Sequence, residues 1–354
     1  AAPRLAHYWH QVNDLVTGNG NGVIDPGEVI LVPVTVSNRG SQGAQTVTAS
    51  ATSGSAHLTV LDGSATTAYI PSGSSSELAP GFRLAVSPDA APGELLVVTL
   101  AISIGCGYQI DSSFKLKVGT AVYDECESEA PWSLATPGDN ATSGLWVRGD
   151  PVGTTSNSQQ CQPEDDHTAA PATDCYVTGQ GAVGGAADAA DVDGGRTTLT
   201  TPLLDLSHIP DARVTYWRWY TNNLGNSPDL DSWRVQISGN GGTSWVFLEN
   251  TTVSANSWTQ MSFLVSDFLT PTSQMRVRFI AHDMAPNSLI EAAVDDFEVS
   301  GTSAPVGIEE QPTAVILRLD APRPNPFPAG THVRFALPEA GPVSLQIFGI
   351  DGRL

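Results

Sequence analysis

The chain reads as all-β: tandem β-sandwiches in the order immunoglobulin-like, jelly roll, and an incomplete immunoglobulin-like module. Three observations predict this. Apolar and polar residues alternate with period two in short runs such as VILVPVTVSN and LLVVTLAISIG. Glycine (34 residues) and proline (25) are frequent and punctuate those runs. No segment sustains helical periodicity. At 354 residues the chain can hold two or three domains, each burying its own core.

The first module spans residues 1–118, where VILVPVTVSN, HLTVLD, FRLAVSP, LLVVTLAISIG and FKLKVG are separated by Gly, Ser and Pro clusters at sandwich-like intervals. The second spans 119–303, where the strands become aromatic, as in ARVTYWRWYTNN, SWRVQIS, TSWVFLENT and QMRVRFIAHD. Residues 304–312 read as a linker, rich in Gly, Pro and acid. The third module, 313–354, places Val333, Phe335 and Leu337 on one strand face and Val343, Leu345 and Ile347 after a Pro-Glu-Ala-Gly turn. Two or three strands cannot enclose a two-sheet core, so Phe335, Leu337, Leu345 and Ile347 are expected to expose apolar surface.

Charge narrows the function classes. Sixteen basic against 37 acidic residues give a formal net charge of −21, which repels nucleic acid and anionic membranes and makes a divalent cation the natural counter-charge. The longest apolar run, Leu95 to Ile104, is about half of the ~20 residues a spanning helix needs. The opening AAPRLAHYWH has neither an initiator Met nor a signal peptide, and reads as a cut. Cys106, Cys126, Cys161 and Cys175 form no CxxC pair, so disulfides in an oxidising compartment are expected rather than zinc or redox chemistry. Of the three connectivities, local pairing of Cys161 with Cys175 and Cys106 with Cys126 is the expectation.

One segment carries metal-ligand spacing. Aligned on Gly22 as the sixth position of an EF-hand-like loop, Asn19 and Asn21 fall at the third and fifth positions, the Val23 carbonyl at the seventh, Asp25 at the ninth and Glu28 at the twelfth. Thr17 stands at the first position, with Asp14 as its substitute. Pro26 diverts the chain into a strand instead of a helix, so the loop predicts a calcium staple on a sandwich; the alternative is an Asn-Gly turn that needs no ion.

Catalytic signatures are missing from the sequence: there is no HExxH, GxSxG or GxxxxGK[ST], and the seven histidines are scattered. Glu164, Asp165, Asp166 and His167 are adjacent and cannot easily converge on one ion; they read as a polar loop that lends an oxygen or two to calcium. SGNGGTSW at 238–245 fits an Asp-box turn, in which short polar side chains bond the backbone and Trp245 packs the hairpin. VTYWRWY sends Tyr216, Arg218 and Tyr220 to one face and Trp217 and Trp219 to the other. An exposed Tyr216, Arg218 and Tyr220 face would stack on sugar rings; a central strand covered on both sides is the alternative. Asn140 and Asn250 open glycosylation sequons that a bacterial source leaves bare.

Three groups of motifs resemble known families. GNGNGVIDPGE (18–28) with VILVPVTVSNRG resembles the adhesion-related immunoglobulin-like domains of secreted bacterial peptidases. SGLWVRGDPVGT, QPEDDHT, CYVTGQG, ADVDGGRTTLTTP, YWRWYTNNLGNSPD and AAVDDFEV, in that order, resemble MAM-type jelly-roll domains of secreted metallopeptidases. RPNPFPAGTHVRFALPEAGPVSLQIFGIDGRL is similar to the type IX secretion sorting domain and its hook-capping relative, families that continue beyond Asp351-Gly-Arg. These resemblances imply a non-catalytic ancillary region of an exported or surface-anchored enzyme, a zinc carboxypeptidase-like peptidase preceding Ala1. The implied partners are that catalytic domain, a glycan or protein substrate, and the secretion machinery. In related jelly rolls calcium ties the two ends together, which implies that Asp295 or Asp296 meets Asp124 or Glu127. The rival readings are an adhesin or surface-fibre fragment and a carbohydrate-binding module.

Overall fold

The computed structural model describes residues 2–105, 107–284, 288–302, 318, 319, 332 and 334–336. The chain divides into two compact units, Ala1–Val306 and Gly307–Leu354. Among the described residues the only helix is one 3-10 turn, Val265–Asp267, so the all-β expectation holds.

The first sandwich of the larger unit is built from β1 (Leu5–His10), β2 (Val29–Asn38), β3 (Ala44–Thr52), β4 (Leu58–Asp62), β5 (Ser64–Ile70), β6 (Ser74–Val86), β7 (Leu95–Ile104) and β8 (Tyr108–Lys117). Their order is β1-β2-β6-β5-β3-β7-β8, with β4 also on β6. The long β6 belongs to both layers, pairing with β2 and β4 and touching β5 at Thr66 opposite Ala79. Alternation closes the core: Ile30, Val32, Val34 and Val36 of β2 are buried against Leu96, Val98, Leu100 and Ile102 of β7 in one cluster. Each such side chain contributes about 1.5–3 kcal/mol by leaving water.

The second sandwich follows from β9 (Thr120–Asp124), β10 (Trp146–Gly149), β11 (Thr154–Ser156), β12 (Gln159–Gln162), β13 (Cys175–Thr178), β14 (Arg196–Thr200), β15 (Arg213–Gly225), β16 (Ser232–Ser238), β17 (Val246–Thr251), β18 (Ala255–Leu264), β19 (Arg276–His282) and β20 (Ser288–Ser300). One sheet runs β10-β13-β20-β15-β18 with β9 on β20, the other β14-β19-β16-β17. Trp146, Tyr216, Tyr220, Trp233, Phe279 and Phe297 fill the space between them. The Asp-box turn forms as read: Ser238 Oγ accepts from Gly242 N at 2.9 Å, and Asn240 Oδ1 accepts from Ser244 N at 2.9 Å. Trp245, however, lies under the Arg278 guanidinium at 4.1 Å rather than in the core.

Two expectations are corrected here. Tyr216 and Tyr220 are fully buried and Arg218 nearly so, which leaves them no surface for a sugar. The reason is position: β15 lies between β20 and β18, and its Tyr216 face is the one that meets the opposite sheet. The other face is covered too, since Trp219 is buried and donates Nε1–H to the Cys161 carbonyl at 2.7 Å. The second correction concerns sulfur. Cys126, Cys161 and Cys175 are free, buried thiols. Cys161 packs with Ala187, Leu224 and Leu289, whereas Cys175 packs with Val177, Trp219 and Ala293, so their thiols serve two separate clusters. Cys106 lies outside the described residues.

The two sandwiches share a joint. Gly119 N donates to the Ile24 carbonyl at 2.8 Å and Ile24 N to the Thr120 carbonyl at 3.1 Å, while Val23 belongs to the second sandwich's core. In the smaller unit β21 (Arg318–Leu319) pairs antiparallel with β22 (Phe335–Ala336), and Phe335 is 46% exposed. The linker 304–312 and the expected apolar positions Leu337, Leu345 and Ile347 lie outside the described residues.

Candidate functional site

The loop between β1 and β2 gathers the residues that spacing selected. Asp14 and Asp25 are 1% exposed and Glu28 7%. Asp14 Oδ2 accepts from Gly22 N at 2.9 Å, Glu28 Oε1 from Asn19 N at 2.9 Å and Glu28 Oε2 from Asp25 N at 3.0 Å. Asn19 and Asn21 both turn towards Asp25 Oδ2, at 2.5 and 2.8 Å through their amide nitrogens. A half-turn of either amide would present its carbonyl oxygen to a cation instead. Asp14, not Thr17, turns into the loop: Thr17 is engaged elsewhere, donating Oγ1–H to the Val29 carbonyl at 2.6 Å. Two glycines make this possible. Gly22 has φ +84°, and a Cβ there would come 2.7 Å from Ile209 Cγ1 of the second sandwich; a Cβ on Gly18 would overlap the Glu28 carboxylate. Neither Asp14 nor Glu28 has a Lys or Arg partner among the described residues. Burial, then Asp14 and Asp25, push the Glu28 carboxyl up to about 7.

A second acidic cluster lies where the 163–174 loop crosses β20. Asp295 Oδ2 accepts from His167 N at 2.8 Å and Thr168 N at 3.3 Å, while Asp296 Oδ2 meets His167 Nδ1 at 2.6 Å. The His167 ring stacks on Trp217 with centroids 3.6 Å apart. Burial and then Asp296 push Asp295 up to about 8; burial and then Glu127 push Asp166 up to about 6. Glu127 accepts from Asp174 N at 2.8 Å. Asp124 does not join them: it points inward, accepting from Trp132 Nε1 and Cys126 N at 2.9 Å each, because it pairs with Phe297 rather than with Asp295. Asp166 lies near Asp295 instead, with a buried Oδ2 that has no hydrogen-bond partner among the described residues. Its neighbours diverge, as adjacency predicts: Glu164 accepts from Gly153 N at 2.8 Å, and the Asp165 carbonyl from Trp258 Nε1 at 3.2 Å. Among the described residues no three His, Cys, Asp or Glu side chains converge to hold a metal, so calcium at either place would draw on amide and carbonyl oxygens as well.

Sequence reasoning missed a histidine pair. A bulge between His7 and Trp9 puts His7 and His10 on one face of β1, where both stack on Phe114 at 4.8 and 4.3 Å. His7 Nε2 lies 3.2 Å from His10 Nδ1, a contact that holds one proton between the rings. They line a cleft of about 370 Å³ between the sandwiches, facing Lys115, Asp124, Glu125 and Glu127. Burial lowers His10 to about 4, and burial followed by His10 lowers His7 as well. The folded state therefore disfavours the protons that the unfolded chain takes up below about 6.5. This contribution is present above pH 6.5 and is lost as pH falls towards 4. Melting of the whole chain should drop more steeply over that window than melting of His10→Asn, by roughly 1–2 kcal/mol; parallel profiles would show that the pair does not titrate with folding.

No protein-family model matches the chain, and no curated protein matches it. Among solved structures, the K3 cleaved adhesin domain of Lys-gingipain from Porphyromonas gingivalis is similar at 13% identity, over 52% of this chain and 99% of that chain, with a TM-score of 0.29. The xylan-binding domain from carbohydrate-binding module family 22 is similar at 10% identity, over 52% and 97%, with a TM-score of 0.30. A family 61 carbohydrate-binding module in complex with β-1,4-galactotriose is similar at 10% identity, over 49% and 89%, with a TM-score of 0.29.

Proposed function

We propose that this chain is a non-catalytic, calcium-stabilised binding and spacing region of a secreted or surface-anchored bacterial enzyme, zinc carboxypeptidase-like by the resemblance of its modules. The observation that supports the reading is the β1–β2 loop, where Asp14, Asp25 and Glu28 are buried in one loop at the joint of the two sandwiches, with the carboxylates of Asp14 and Glu28 held by backbone N–H groups of that loop. A cation bound there by Asp14, Asn19, Asn21, the Val23 carbonyl, Asp25 and Glu28 would neutralise them and stiffen the joint, because the same loop seats Val23 in the second core. Such a joint suits a spacer that presents a binding surface at a set distance from a catalytic domain. The cluster of Glu127, Asp166, Asp295 and Asp296 is the second candidate calcium position.

Thermal melting with calcium and with chelator tests this. Calcium at one hundred times its Kd should stabilise by about 2.7 kcal/mol. Glu28→Gln should abolish the loop's share and leave the share of Asp295 intact, and Asp295→Asn the reverse. A midpoint that ignores calcium, or a Glu28→Gln loss that is equal in chelator, would assign these carboxylates to hydrogen bonding alone.

A further inference from the structure

We propose that the outer face of the β14-β19-β16-β17 sheet binds an acidic polysaccharide, its uronate carboxylates held by Arg276 and Arg278. This deepens the reading of the chain as a binding region and rests on it.

The face follows from register. Val277, Phe279 and Ala281 of β19 and Trp233, Val235 and Ile237 of β16 are in the core, so Arg276, Arg278, His282, Arg234 and Gln236 point the other way. Pairing sets Gln236 beside Arg278, Arg234 beside Ile280 and Arg196 beside His282. Four arginines and a histidine thus share a surface roughly 20 Å long and 10 Å wide, given strand rise and spacing. The protein that carries them has 37 acidic residues to 16 basic ones.

These charges are not spent on the fold. Among the described residues only Arg196 has a carboxylate partner, Asp139 at 3.7 Å. Arg278 Nε donates to Gln236 Oε1 at 2.7 Å, Arg276 Nη1 to the Thr201 carbonyl at 3.4 Å, and Arg234 Nη2 lies 3.7 Å from Met284 Sδ. All three acceptors are neutral. Like charges so close destabilise a sheet, and they feel one another: burial and then Arg196 lower Arg278, and burial followed by Arg234 and Arg196 lowers His282, with Asp139 and Asp231 only partly offsetting this. An external anion would relieve this strain.

The surroundings favour a sugar as the bearer of that anion. Trp245 beneath Arg278 and the amide of Gln236 fix the guanidinium, which preorganises it for a carboxylate. Phe247, opposite Gln236 and 46% exposed, offers an apolar surface for a pyranose ring. The row of side chains along the strands suits an extended chain. Duplex DNA, with one charge per about 1.7 Å, would meet long-range repulsion from the rest of the molecule; a polymer with one carboxylate per ring is repelled far less.

The test is calorimetric titration of the full chain with a galacturonate oligosaccharide too short to gel, at fixed calcium. Binding should weaken about tenfold in Arg276→Ser/Arg278→Ser, should fall with added salt, and should be intermediate in the double lysine variant, which keeps the charge without the planar fork. A neutral xylo-oligosaccharide should not bind. Phe247→Ser, at an exposed position, gives a second variant that is independent of the arginines and should also weaken binding. The proposal is overturned if the oligouronate does not bind, if the double serine variant binds it equally while melting normally, or if poly-glutamate or duplex DNA binds as well through the same arginines. Calcium-dependent melting is read separately on the same variants, so failure here leaves the calcium reading standing, and the reverse.

Discussion

Glu249→Ala is expected to destabilise the second sandwich by about 3–5 kcal/mol. Glu249 on β17 and Arg218 on β15 form an ion pair of 3.0 Å with side chains only 7% and 9% exposed. The Tyr216 hydroxyl donates to the same carboxylate, and Trp233 Nε1 lies 3.4 Å from it. Removing the carboxylate leaves a guanidinium in the core with no counter-charge, together with a phenol and an indole that lose their acceptor. The expected loss therefore exceeds that of an ordinary cavity. Replacing both partners, in Arg218→Met/Glu249→Leu, should cost far less, because the double change also removes the desolvation penalty. Urea unfolding of the three variants at neutral pH measures the difference. A single-variant loss below about 1 kcal/mol would mean that water reaches Arg218 and that the pair is no deeper than a surface bridge.

Stability in chelator should fall as pH rises. The Glu28 carboxyl moves from 4.5 to about 7 on folding and Asp295 from 3.8 to about 8, both chiefly through burial. A carboxylate with a raised folded pKa keeps its proton in the native state while the unfolded chain has released it. Its contribution is complete below about pH 4 and is lost as pH climbs through the folded pKa values of about 7 and 8. The loss from Glu28 should amount to roughly 2–3 kcal/mol. On the proposed calcium reading the ion would bind the deprotonated form, so its stabilisation should grow over the same window and reverse the trend. Guanidinium unfolding at pH 5 and pH 8, with and without calcium, reads both effects. Glu28→Gln should flatten its part of the slope in chelator; a slope unchanged by both Glu28→Gln and Asp295→Asn would assign the pH dependence elsewhere.

Much of this architecture is legible in the residues. Period-two alternation over Val29–Asn38 and Leu95–Ile104 specifies strands with one buried face, and the Asn and Gly spacing around Gly22 marks the loop in which Asp14, Asp25 and Glu28 are buried. That Asp14 rather than Thr17 turns into this loop is legible only as an option. Which one holds depends on a Gly22 amide that becomes available to Asp14 once the loop has closed.

The aromatic strand shows where alternation fails. In VTYWRWY both faces are large and apolar, so the pattern that separates them cannot say which one meets the opposite sheet. Tyr216 and Tyr220 are buried there because β15 is central. Nor can alternation place His7 and His10 together, since three residues apart they belong on opposite faces of a regular strand; one bulge reverses that. The cysteine spacing likewise suggested a local bridge that the fold does not make.

What the sequence determined by itself is therefore local: strand periodicity, turn chemistry and the Asn, Asp and Glu spacing of one loop, each set by residues within about a dozen positions of one another. The tertiary structure decided what depends on register between distant strands. Arg196, Arg234, Arg276 and Arg278 come from three strands spread over more than 80 residues. Backbone hydrogen bonds between β14, β19 and β16 align them on one surface, and the apolar side chains alternating with them leave no other way for them to point.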